Sequence, residues 1–267
     1  MIANLNEVSA EAILIRDDDN GIATLTLNRP EQFNALSSDM LFELQAALDD
    51  ISADASIRVV IIGANGRGFC AGHDLKEIRS STDKAFHQAL FDRCSKVMLT
   101  INSMPQPVIA QIDGIATAAG CQLVANCDLA VATMESRFAV SGINLGLFCS
   151  TPAVPLSRNL SRKQAMQMLL TGDFISAEQA QSYGLVNDVV NNNELKQATM
   201  DLAHKIAAKS PLATKLGKQM FYQQLPMDLS AAYAFASERM ACNMDSEDAR
   251  EGVDAFMEKR RPEWKGR

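Results

Sequence analysis

The sequence predicts an α/β chain, a β-α core over residues 1–200 followed by a helical region over residues 201–267. Three observations point there. In the first third, short apolar runs alternate with stretches whose apolar residues recur every three or four positions, the pattern of stacked β-α units. Glycine-rich, non-periodic segments interrupt that pattern. Beyond Ser161 the apolar spacing becomes helical throughout, with serine caps and glycine stops.

Residues 22–27 predict a strand, ended by Asn28, Arg29 and Pro30. Ser37 or Ser38 caps a helix whose apolar face is Met40, Leu41, Leu44, Leu48 and Ile51. Residues 59–62 read as a buried strand and residues 63–68 as a glycine-rich loop. Asp74, with Glu77 three residues on, has the pattern of a helix capping box, which gives Asp74 a structural role to set against a catalytic one. Residues 108–112 predict the next strand, Asp113 and Gly114 a turn, and residues 116–125 a small-residue segment broken by Gly120. Residues 129–132 and 137–140 are further strands, and residues 142–152 a long connection. Helices follow over residues 163–170 closed by Gly172, from Ser176 with Gln179 to Gly184, over 193–209, from Pro211, and over 229–242 and 246–259.

The chain of 267 residues carries a net charge of −7, and its densest basic stretch is only Lys259, Arg260 and Arg261. Nucleic acid is therefore not an expected partner. The N-terminal segment has Asn4, Glu7, Glu11 and the run Asp17, Asp18, Asp19 in place of a basic n-region and an apolar h-region. The apolar runs elsewhere are too short to span a membrane. A cytoplasmic protein without a membrane partner is expected. The six cysteines, at 70, 94, 121, 127, 149 and 242, show no Cys-x-x-Cys pair and no histidine at zinc-finger spacing, so reduced thiols and no metal site are expected.

Two segments can each offer free backbone N–H groups to a ligand: Ala71, Gly72, His73, and Ala118, Ala119, Gly120. The second falls at a helix start, where unpaired N–H groups and the helix dipole favour negative charge. Paired donors of this kind stabilise a developing oxyanion.

The order and spacing of several motifs carry a resemblance. They are Leu27 to Pro30 with Asn34, Ala35 and Leu36; Phe69 to Lys76; Pro107 to Ala110; Asp113 and Gly114; Gly120 to Leu123; Cys127 and Asp128; Ser176 to Ala180; Gly184 to Val186; and the stretch ending at Pro262. Together they resemble the enoyl-CoA hydratase/isomerase, or crotonase, superfamily over nearly the whole chain. The resemblance implies a crotonase-like spiral of β-β-α turns, with a C-terminal helical trimerisation region and trimers that can pair into hexamers. It implies an acyl-CoA thioester as ligand, its carbonyl held by the N–H groups of His73 and Ala119, with coenzyme A part of the substrate and no separate cofactor. Ala71, Gly72, Asp74, Leu75, Lys76, Gly120 and Cys149 are the accompanying substrate-binding candidates. Lys259, with Arg260, is a further one, reaching CoA phosphates from a neighbouring subunit, to be weighed against a solvated helix end.

The departures restrict the chemistry. Hydratases of this family carry glutamates where this chain has Gln122 and Gly142. Gln122 cannot act as a general base and Gly142 has no side chain, so efficient hydration is not expected. The run 143–152, with Gly72 to Lys76 and Ala118 to Gln122, resembles the enoyl-CoA hydratase domain-containing protein 3 subgroup. Three readings stay open: a lyase- or isomerase-like enzyme with a substrate-borne or solvent base; a relative using a bound anion, as dihydroxynaphthoyl-CoA synthases use bicarbonate where they share the glycine; and a non-catalytic acyl-CoA-binding protein. Side-chain catalysis by His73 competes with an exposed loop histidine, and a nucleophilic Cys149 lacks a neighbouring His or carboxylate. Ser141, Ser150 and Thr151 are the other polar candidates.

Overall fold

Why the chain spirals follows from where successive strands pair. The computed structural model describes residues 12–267; Asn4, Glu7 and Glu11 lie outside them. A hairpin opens it, β1 (Leu14–Asp19) antiparallel to β2 (Ile22–Leu27), and α1 (Ser38–Ala53) follows. The first turn is β3 (Val59–Ala64), β4 (Gly68–Cys70), the short α2 (Leu75–Arg79) and α3 (Lys84–Ser103). The second is β5 (Val108–Ile112), β6 (Ile115–Thr117) and α4 (Ala119–Asn126), and the third is β7 (Leu129–Thr133) and β8 (Arg137–Ala139) with α5 (Ser150–Asn159) and α6 (Arg162–Thr171). Then come β9 (Ile175–Ser176), α7 (Ala177–Tyr183), β10 (Asp188–Val190) and four helices, α8 (Leu195–Ala207), α9 (Pro211–Gln224), α10 (Leu229–Met244) and α11 (Glu247–Glu258). Each turn gives its first strand to a six-stranded sheet, ordered β1-β2-β3-β5-β7-β10, and its second to a four-stranded sheet, ordered β4-β6-β8-β9. Only β1 with β2 and β8 with β9 run antiparallel among these pairs.

Alternation along the large sheet divides the core. Ala23, Leu25, Val60, Ile62, Val108 and Ala110 face the main cluster, which also takes the buried faces of α1 and α3. Ile22, Val59, Ile61, Ile109 and Val131 point the other way, where α8 covers them with Leu195 and Ala203. Side chains two apart share a sheet face, so a strand such as β3 must be apolar at every position to serve both clusters. Residue 200, where the sequence reading divides the chain, lies inside α8.

Several elements differ from the sequence reading. The acidic run 17–19 forms the second half of β1, an exposed edge strand that needs few apolar residues. β4 emerges from the glycine-rich segment. The longest helix, α3, takes in the helical stretch the sequence predicts around His87, and its bounds follow from Leu90, Cys94, Val97, Met98 and Ile101, which repeat at helical spacing and are buried. The expected loop 142–152 is helical at both ends: a 3₁₀ turn covers Ser141–Leu145, and α5 starts at Ser150. Pro152 sits in the first turn of α5, where its missing N–H costs no helical bond. Ser37, not Ser38, caps α1. Asp74 caps α2 through Lys76 N–H, but no box closes, because Glu77 accepts from Ser38 N–H instead.

Candidate functional site

The loop after β4 and the start of α4 are pressed together by residues with no room for larger side chains. Gly72 has φ +96°, which disfavours any side chain, and a Cβ on it would lie 2.9 Å from Ala118 Cβ and 3.2 Å from Ala119 N. A Cβ on Gly120 would fall within the carbonyl oxygen of Cys70. Thr117 Oγ1 donates to Ala71 O at 2.9 Å, a third tie between the two segments.

That contact brings free donors to one place. His73 forms a parallel bridge with Leu36 in which Leu36 N–H donates to Gly72 O at 2.7 Å and Asp74 N–H to Leu36 O at 3.3 Å. His73 sits between these two bonds, so its own N–H is directed away from Leu36. At α4 the first intrahelical bond is Gln122 N–H to Ala118 O, 3.0 Å, so the helix itself uses none of the N–H groups of Ala119, Gly120 and Cys121. Ala118 adopts φ 49°, ψ −118°, a conformation rare for a residue with a side chain. Such backbone costs on the order of 1–3 kcal/mol and gathers at functional sites. Ala118 N–H is already held by Ala139 O at 2.9 Å.

The motif before α1 is the clamp for this loop. Asn34 is fully buried; its Oδ1 accepts from Arg29 N–H, and its Nδ2 donates to Asn65 O and Gly68 O at 2.9 and 2.8 Å. Arg29 donates to Ala35 O and pairs with Asp74 at 3.2 Å. Burial raises the Asp74 carboxyl's pKa, yet the bonds from Arg29 and the first N–H groups of α2 outweigh this and hold it below the usual range. Asp74 is thus occupied as a cap and an ion-pair partner. In the sequence Arg29 and Asn34 stand out only as parts of a motif; their supporting role needs the fold.

Gln122 is buried, 3% exposed, on α4 one turn beyond Ala118. Its Oε1 has no partner among the described residues, and neither has His73 Nε2. Burial pushes the His73 pKa down to about 4, against a smaller opposing effect of Glu77, and the ring packs edge-on against Phe91 at 5.2 Å. His73 is therefore a mostly buried neutral imidazole, a correction to the exposed-loop alternative.

Gly142 has no positive φ, so its glycine answers to space. A Cβ there would meet Cys149 Sγ at 2.7 Å and Leu147 O at 2.8 Å. The space in the Cβ direction of Gly142 is filled by a thiol and a carbonyl oxygen, neither of which attracts negative charge. Cys149 accepts a backbone N–H from Gly142, but burial raises its pKa, which opposes a nucleophilic thiolate. Leu75 and Lys76 are exposed at the start of α2 beside His73, and Ser150 is exposed at the start of α5. Lys259 is not joined to this group; it is the exposed left-handed cap of α11, which packs on α9 and α10. All six cysteines are free thiols, five of them buried.

Comparisons with known proteins give the family and the fold. The family model described as enoyl-CoA hydratase/isomerase matches residues 17–267. The chain is 47% identical to the human enoyl-CoA hydratase domain-containing protein 3, mitochondrial, over 92% of this chain and 81% of that one. A crystal structure of that human protein superimposes with a TM-score of 0.92 at 45% identity, covering 95% of this chain and 100% of that one. An enoyl-CoA hydratase structure from Mycobacterium smegmatis gives a TM-score of 0.94 at 55% identity, covering 95% and 99%. The 2,3-dehydroadipyl-CoA hydratase of Escherichia coli is 35% identical over 95% of this chain and 99% of its own length.

The human relative and its rat and mouse counterparts are named as mitochondrial proteins, which overturns the expected cytoplasmic location. The absence of an n-region and an h-region speaks only to secretion, because mitochondrial targeting segments are amphipathic and rich in Arg and Ser. A family match from residue 17 to the end, shared by relatives with the same two-sheet spiral, decides the assignment: the chain belongs to the enoyl-CoA hydratase/isomerase, or crotonase, family.

Proposed function

We propose that the protein binds an acyl-CoA thioester with its carbonyl oxygen between the N–H groups of His73 and Ala119 and acts on it as a lyase or isomerase, without efficient enoyl-CoA hydration. The carrying observation is the contact of Gly72 with Ala118 and Ala119, which brings two independently freed N–H groups to one place. Donors fixed in advance stabilise the enolate-like charge that develops on thioester oxygen, and removing one from such a pair costs about 3–4 kcal/mol of barrier. Proton transfer is the weak part. A neutral Gln122 orients water or a polar group but takes no proton, and a histidine with its pKa near 4 is a poor base at neutral pH.

The filled space at Gly142 favours a second reading, a protein that binds acyl-CoA without turnover. One experiment separates the two. Butyryl-CoA is expected to bind by calorimetry, and hydration of crotonyl-CoA, followed by loss of enoyl absorbance, to run little above background. Turnover near the enzyme median of about 10 s⁻¹ would show that another residue supplies the proton chemistry. Binding without turnover across a panel of CoA esters would establish the second reading. A ligand-bound structure with the carbonyl away from His73 and Ala119 overturns the first.

We further propose a homotrimer, able to pair into a hexamer, on the strength of exposed apolar residues along α10 and α11.

A further inference from the structure

A cavity of about 490 Å³ lies at the starting ends of β3 and β5, whereas the candidate site follows β4 and β6. Its size falls within the roughly 300–1,000 Å³ of small-molecule sites. One wall is the end of α1 with Gln106, the other the first turn of α9 with the C-terminal residues Trp264 to Gly266. The charged side chains on these walls are Arg58, Lys215 and Lys265 against Asp54. Asp54 is turned to its own loop, where it accepts from the N–H and hydroxyl of Ser56, and Arg58 donates to Lys209 O. Lys265 pairs with Glu247 at 3.4 Å, while Lys215 has no ion-pair partner among the described residues. In α9, Pro211 has no N–H, Ala213 N–H donates to Ser210 Oγ and Thr214 N–H to Ser210 O, which leaves Leu212 N–H free among the described residues. A free N–H at a helix start beside cations favours an anion. Gln106 supplies the opposite polarity. It is 5% exposed, its Nε2 donates to the carbonyls of Ile51, Asp54 and Ile57, and its Oε1 has no partner among the described residues. Native proteins seldom leave such a buried acceptor unpaired without a use. Trp264, Ile206 and Leu212 add apolar lining, and the Trp264 indole is fixed by its N–H bond to Ala208 O at 2.8 Å.

We propose that this cavity binds a purine nucleoside monophosphate bearing an amino group, at a place separate from the candidate site. The phosphate is placed at α9, where Leu212 N–H donates to it and Lys215, Arg58 and Lys265 oppose its negative charge. The exocyclic amino group donates to Gln106 Oε1, the acceptor left without a partner among the described residues. The flat base lies along the Trp264 and Leu212 side chains, burying apolar surface that a sugar phosphate alone would leave wet. A free amino acid brings one carboxylate and no purine ring, and inorganic phosphate serves one wall but not the other.

Calorimetry of the whole protein with AMP, ribose 5-phosphate and purine riboside 5′-monophosphate, which is AMP without its amino group, tests this. AMP is expected to bind one per chain, and each of the other two about tenfold or more weaker, the effect of losing the base or the partner of a buried acceptor. Lys215 is exposed, so Lys215→Glu should keep the fold by circular dichroism, weaken AMP by a similar factor and leave butyryl-CoA binding unchanged. Failure of AMP to bind, or undiminished binding to Lys215→Glu, overturns the site. Ribose 5-phosphate or the amino-free nucleotide binding as tightly as AMP overturns the nucleotide assignment. So does competitive displacement of AMP by butyryl-CoA, which would put both ligands in one place.

Discussion

Two residues set what the candidate site can and cannot do. Gly142 is where the proposed reading expects the family's second glutamate, and its surroundings decide whether a side chain fits there. Because Leu147 O is backbone, 2.8 Å from the position of a Cβ, the 147–149 turn must move to admit any side chain. Gly142→Ala is expected to cost about 1–3 kcal/mol of stability in urea unfolding, as overpacking does. An unchanged midpoint would mean that the turn yields freely. Gln122→Glu is nearly isosteric, so it is the cleaner way to add a carboxylate. His73 supplies a pH signature. Its pKa is held near 4 in the folded protein, against the ordinary 6.5 when unfolded. Between those values the unfolded chain binds the proton that the native ring refuses, so this contribution is complete above pH 6.5 and is lost as pH falls toward 4. About 3 kcal/mol is at stake. The stability difference between wild type and His73→Phe, measured by urea unfolding across that window, should change by this amount; a flat difference would show an imidazole that protonates freely.

Among the elements, α9 shows how the C-terminal helices are tied to the spiral. Lys218 is buried on it, and its Nζ donates to Ile101 O, Gln106 O and Asp128 Oδ2 at 2.7 to 2.8 Å. Asp128 also accepts from Val108 N–H and from the Tyr222 hydroxyl, so one carboxylate links α9 to the strands β5 and β7. Burial lowers the Lys218 pKa and Asp128 opposes that effect. Removing the cation leaves a mostly buried carboxylate and two carbonyls without their donor. Lys218→Met is expected to lose about 3–5 kcal/mol in urea unfolding, the usual result of breaking a buried pair. Adding Asp128→Asn should return part of it, since a neutral amide needs no counter-ion. If Lys218→Met unfolds like the wild type, water reaches the cluster and the anchor is weaker than its geometry implies.

For the molecule as a whole, apolar surface is spread along the last helices. Leu229, Tyr233, Met240 and Phe256 are 74%, 70%, 63% and 84% exposed, with Val253 and Met257 also open. That much apolar surface on neighbouring helices is the mark of a contact with another chain. Sedimentation at micromolar concentration is expected to give a trimer or hexamer, and a monomer there would contradict it. Phe256→Asp should shift the equilibrium toward smaller species, and no shift would place the contact elsewhere.

Local spacing carries much of the fold, and contact across sequence carries the rest. Periodic apolar residues made α1, α6, α7 and the strands β2, β3, β5, β7 and β8 legible, because period and caps are local properties. The same spacing marked the Gly72 and Gly120 segments as places where backbone comes close. The sequence also determined, through its motif order, the family. Tertiary structure alone decided that β1 is a strand, since an edge strand is defined by its partner and not by its own polarity. It decided that Asp128 meets Lys218 ninety residues away, that Cys149 fills the space beside Gly142, and that His73 is partly buried with its pKa pushed down. Each of these depends on which distant residues exclude water or occupy volume, and such facts exist only once the chain has closed on itself.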